Sequence, residues 1–108
     1  IYTQEQLDGM SEIEKNVAVL EKSGDTSFDG YKVQLYENGG FRSFVKCYCS
    51  DPAAIMPIAF EHGIGLELMI RGGGWMAYQR AMTVDDAVYS TNVNPLIAIV
   101  DVFLMMEV

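Results

Sequence analysis

From Leu96 to Met106 every side chain but one is apolar, the exception being Asp101. Asn94-Pro95 stands directly before this run. Asparagine is a good helix N-cap, and proline suits the first helical position, where no backbone N–H is needed. The pattern predicts a helix from about Asn94 to Glu107. A helix that is apolar on all sides must be buried on all sides. The longest uninterrupted apolar stretch, Pro95 to Val100, is far too short to span a bilayer, so the burial must be within protein and not lipid.

What can bury it is constrained by length. The chain has 108 residues, which fits a single domain over 1–108. Half of the residues are hydrophobic, enough to supply a core. Ser11-Glu12-Ile13-Glu14 reads as a capping box, with Ile13, Val17 and Leu20 following at helical spacing and Gly24 as the stop. Lys22 sits near the negative end of that helix dipole. Asp51-Pro52 repeats the cap-then-proline pattern and predicts a helix to about Glu61, stopped by Gly63, with a kink or short first turn from Pro57.

Two hairpins fill the intervals. Tyr31 to Tyr36 alternates, Asn38-Gly39-Gly40 turns, and Phe41 to Cys49 alternates again. Gly65 to Arg71 and Trp75 to Arg80 flank Gly72-Gly73-Gly74 in the same way. Thr83 to Asp86 is read as the start of a short helix and Val88 to Thr91 as a strand. The expected fold is α+β, ordered α-β-β-α-β-β-α, with one mostly antiparallel sheet of two hairpins and three helices, the last of them buried. Two of those helices are short with charged outer faces. They are expected to leave part of Ile97, Val100, Leu104 and the methionines uncovered, so a homo-oligomer, most simply a two-fold dimer, is expected to complete the burial. The competing expectation is a monomer with the closing helix at its centre.

A net charge of -8 excludes ordinary DNA or RNA binding, which requires a basic surface. The acids are dispersed along the chain and not arrayed as in a nucleic-acid mimic. Cys47 and Cys49, at i and i+2, would share one face of a strand, a poor geometry for a disulfide, and are expected to be reduced core thiols. With His62 they make a weak metal signal, and no metal or cofactor is expected. His62 itself suits the end of its helix as a cation on the dipole, a simpler role than catalytic base. Ile1 to Leu7 lacks a basic-then-apolar leader pattern, and the expected location is cytoplasmic, with no membrane partner.

One segment carries a candidate site. Arg71-Gly72-Gly73-Gly74-Trp75 combines a guanidinium with a turn whose backbone N–H groups can hold an anion, and Tyr78 and Arg80 follow. Trp75 or Tyr78 would stack on a base. The lysine and hydroxyl of a P-loop are missing, so nucleotide hydrolysis is not implied. The bland alternative is a hairpin tip beside a core tryptophan.

Asn94-Pro95-Leu96 with Val102-Phe103-Leu104-Met105-Met106-Glu107 resembles the closing motif of NinX-like proteins of lambdoid bacteriophages. Cys49-Ser50-Asp51-Pro52-Ala53, Pro57-Ile58 and Gly63-Ile64-Gly65-Leu66 are similar to the middle of that family, Glu12-Ile13 with Lys15 and Val17-Ala18 to its first helix, and Trp75 to Ala77 more loosely to a later segment. The likeness spans most of the chain and is weak between Gly24 and Tyr48. The family is described as phage protein of unknown function, so it brings a setting and no catalytic residues. It implies a phage-encoded accessory protein in the cytoplasm of an infected bacterium. Three function classes follow. The first is a non-enzymatic anti-defence protein that sequesters a small anionic signal, such as a cyclic or modified nucleotide. The second is a protein–protein modulator of a host enzyme, and the third, least favoured, is a small enzyme.

Replacing the expected cap tests the frame of this reading. Asn94→Ala should lower stability by about 1 kcal/mol, measured as the denaturant midpoint.

Overall fold

The computed structural model describes residues 1–25, 27–79 and 87–107. The elements run α1 (Gln4–Asp8), α2 (Glu12–Ser23), β1 (Val33–Asn38), β2 (Phe41–Lys46), α3 (Pro52–His62), β3 (Ile64–Met69), β4 (Gly74–Gln79), β5 (Val88–Asn92) and α4 (Pro95–Met105). The class is α+β, as the patterning predicts. The strands, however, form two antiparallel sheets in place of one: a ribbon of β1 and β2, and a three-stranded sheet ordered β3-β4-β5. Alternation identifies strands but says nothing of which hairpins pair with each other, and here they do not.

The capping signals are realised. Ser11 and Glu14 close a reciprocal box at the start of α2, and Gly24 ends it at φ 68°. Asp51 caps α3 through the Ala53 N–H, and Gly63 ends it at φ 65°. Helix α3 continues through Pro57, whose position is exposed. Asn94 Oδ1 accepts from the Leu96 N–H at 2.9 Å, and its Nδ2 donates to the Cys49 carbonyl at 3.4 Å, so the α4 cap also anchors the turn before α3.

A fourth helix lies outside the expected three. Thr3 and Gln6 form another capping box that starts α1 and folds Leu7 into the core. β2 stops at Lys46, short of the expected Cys49, because residues 47–50 turn into α3: the N–H groups of Ser50 and Asp51 both bond the Cys47 carbonyl. The cysteines therefore do not share a strand face, and both are buried free thiols. The expected helix start at Thr83 to Asp86 lies outside the described residues.

α4 is the centre of the molecule. It lies against β3, β4 and β5 on one side and meets α1, α2 and α3 on others. Every residue from Ala98 to Leu104 is buried within the single chain. Along that stretch no stripe is left uncovered, because α1 adds a wall to those of the three expected helices and the sheet, while Ile97 and Met105 are half-buried. No helix among the described residues is long and apolar enough to cross a membrane.

Two lysines of α2 fix this core. Lys15 Nζ lies 2.9 Å from Asp101, both side chains almost fully buried, so the one charge of α4 is neutralised inside. Burial pushes the Asp101 carboxyl above its ordinary value, and Lys15 pulls it back. Lys22 reaches across to donate to the carbonyls of Phe103 and Met106, the latter at 2.6 Å. It thus serves the C-terminal end of α4, which has no basic residue of its own in its last turn, and not merely the end of its own helix.

Removing one member of a buried ion pair strands the other. Asp101→Asn should cost about 3–5 kcal/mol in chemical denaturation. The double variant Lys15→Met with Asp101→Leu should recover most of that loss.

Candidate functional site

The glycine segment is divided between a tip and a strand. Arg71 is exposed, and Gly72 and Gly73 follow it in left-handed conformations at φ 98° and 62°. Gly74 belongs to β4, not to the turn, and is buried; a Cβ there would lie 3.1 Å from the Asn92 carbonyl oxygen, so its lack of a side chain lets β5 approach. Trp75 stands opposite Leu68 and Asn92. It shares the parity of Ala77, which is fully buried against the α4 side of the sheet.

Tyr78, three residues on, falls on the other face. Its ring lies on Gly65, and its hydroxyl donates to Glu67 at 3.3 Å. The structure thus gathers Arg71, Gly72 and Gly73 at one tip and separates the two aromatic rings. Trp75 and Tyr78 cannot flank one base from the same face. Arg80 lies outside the described residues. Among the other cations, Lys15 and Lys22 are committed inside the fold, and Lys46 pairs with Asp25 while lying 3.8 Å from the Tyr31 ring centroid.

A polar cluster that no local motif announces, part of it buried, lies against α2. Asn16 Oδ1 accepts from the Cys49 N–H at 3.0 Å, and Asn16 Nδ2 donates to Gln34 at 2.9 Å. Gln4 accepts from the Ser90 hydroxyl at 2.8 Å. With Lys15 and Asp101 these groups join α1, α2, β1, β5 and α4. The residue types include a nucleophile, yet the environment opposes its use. Cys49 is buried, and that burial pushes its thiol up to about 12, whereas catalysis requires the thiolate. Its Sγ–H points to the Glu12 carbonyl at 3.8 Å. The partners lie tens of residues apart in sequence, so no local motif announces them. His62 is half-buried at the end of α3, its ring 5.2 Å from that of Phe103. No group of three or more metal-ligating side chains occurs among the described residues.

The β1–β2 ribbon is largely exposed. Register places Val33, Leu35 and Glu37 with Lys46, Phe44 and Arg42 on one face, and Gln34 and Tyr36 with Val45 and Ser43 on the other. Val45 is fully buried and Gln34 bonds Asn16, so the second face meets the body. On the outer face Leu35 is 48 % and Phe44 57 % exposed, while Phe41, at the tip and on the other face by parity, is exposed as well. Each strand of the ribbon has its second edge unpaired among the described residues.

No protein-family profile, curated protein or solved structure matches this chain.

The inertness of Cys49 is measurable. Under native conditions at pH 8 it should resist a thiol reagent, and unfolding in denaturant should expose both thiols to stoichiometric labelling.

Proposed function

We propose that this protein is a non-enzymatic accessory protein, phage-encoded and working in the bacterial cytoplasm, that binds and modulates a host protein. The observation that carries this reading is the outer face of the β1–β2 ribbon. Val33, Leu35 and Phe44 form an apolar patch there, and both strand edges are open among the described residues. Two-stranded ribbons are marginal alone, and exposed apolar strands with free edges invite aggregation unless a partner uses them. Here the base is pinned: the Cys47 N–H bonds the Lys32 carbonyl, the Lys32 N–H bonds Asp51, and Lys46 is paired with Asp25. A rigid base with an apolar, unpaired upper face suits strand addition or face packing by a partner. A homo-oligomer, if formed, would use this same face, since α4 is enclosed.

The second reading is sequestration of a small anionic nucleotide-like ligand at the β3–β4 tip. It is supported by the adjacent left-handed glycines 72 and 73 beside the exposed Arg71. The distribution of Trp75 and Tyr78 on opposite faces ranks it second.

Site-specific photo-cross-linking in infected cells tests the first reading. A cross-linker at position 35 or 44 should capture one host protein, whereas one at exposed Glu61 of α3 should not. Leu35→Asp should weaken the capture from position 44 at least tenfold, the loss expected for a central anchor of an interface. Capture of the same protein from position 61, or none from 35 and 44, would refute it. Native mass spectrometry showing a retained nucleotide that Arg71→Ala releases would instead establish the second reading.

A further inference from the structure

A groove of about 280 Å³ runs along α2 on the side away from the buried ion pair. Met10 and Val17 line it with apolar side chains, Tyr2 and Tyr36 line it with aromatic ones, and Glu14 and Glu21 stand along it. The two carboxylates are seven residues apart on one helix, about 10 Å along its axis at a rise of ~1.5 Å per residue. Neither has an ion-pair partner among the described residues. Glu14 uses one oxygen to accept from the Ser11 N–H at 3.1 Å, which holds its carboxylate in place and ionised. Lys22, beside Glu21 in the chain, is turned away toward the carbonyls at the end of α4.

We propose that this groove binds a basic peptide segment of the partner, one whose two cationic side chains reach Glu14 and Glu21 and whose apolar residue between them packs on Val17 and Met10. The inference rests on the protein-binding reading above and names the chemistry of the partner. Charge complementarity selects the occupant. The groove wall is apolar and both of its charged groups are negative, in a chain of net charge -8 that draws cationic segments toward it. Lysine and arginine suit such a site because their aliphatic stems bury along apolar surface while the heads reach polar groups. Tyr2 and Tyr36 add aromatic faces that attract the same cations. The spacing sets the register: a segment in the polyproline II conformation has three residues per turn and rises about 3.1 Å per residue, so cations at i and i+3 project from one side about 9 Å apart, close to the carboxylate separation.

Calorimetry with two synthetic hexapeptides decides it. One carries arginines at i and i+3 flanking leucine, and the other has citrulline in place of both arginines. The first should bind, and the second should bind at least tenfold more weakly. The double variant Glu14→Gln with Glu21→Gln should lose the arginine peptide by a similar factor with an unchanged denaturation midpoint, because glutamine at position 14 still completes the capping box. Phe44→Asp, on the opposite face of the ribbon from Tyr36, should leave peptide binding as it was. Equal affinity for both peptides, wild-type affinity in the double variant, or no binding of the arginine peptide at millimolar concentration would overturn the proposal. Cross-linking from positions 35 and 44 would be untouched by that failure. Conversely, peptide binding that persists while the ribbon captures nothing would remove the ribbon reading alone.

Discussion

A helix without a polar side must be walled in completely, and over Ala98 to Leu104 the walls come from the chain's own described residues. The fold is the answer to that demand. The three-stranded sheet takes one side of α4, and α2, α3 and the short α1 close the others. Asp101 turns the demand into a specification. A lone carboxylate inside an apolar helix is tolerable only where a cation meets it, so α4 can take one rotation about its axis, the one that brings Asp101 to Lys15. Lys22, two helical turns further along α2, meets the last carbonyls of α4. Two points on one helix therefore hold α4 in both rotation and axial position.

Much of this scaffold was legible because helix ends are local chemistry. Ser11 with Glu14, Asp51 with Pro52 and Asn94 with Pro95 each announce a helix start within four residues, and all three are realised. Thr3 and Gln6 carry the same signal, but only Leu7 of the turn that follows is buried, so no apolar period drew attention to α1. Strand pairing is a long-range property. Alternation found both hairpins yet could not tell that β1–β2 would stand apart or that β5 would join β4.

The candidate site shows the same division. Three consecutive glycines cannot be apportioned between turn and strand without knowing how closely Asn92 passes Gly74. The opposition of Trp75 and Tyr78, by contrast, was available from parity alone, since an odd separation on a strand reverses the face. The cluster around Asn16, Cys49 and Asp101 was beyond reach, because nothing local relates an asparagine in α2 to an amide thirty-three residues later. The open surfaces lie outside that core. The ribbon offers apolar side chains and unpaired edges, and α2 offers an acidic and aromatic groove on the side opposite its buried lysine.

The earliest and latest parts of the fold are each other's supports. The Tyr2 N–H bonds the Leu104 carbonyl at 3.1 Å, and Lys22 binds carbonyls more than eighty residues away. On the ribosome, chain emerges at about 5–20 residues per second, so α1 and α2 are out for several seconds before α4 exists. Throughout that interval Lys15 has no carboxylate to meet, and Leu7, Ala18 and Val19 have no core to enter. The domain can close only after α4 has left the exit tunnel, which makes its folding a single event that waits for α4 and leaves the apolar β1–β2 ribbon without its body until then.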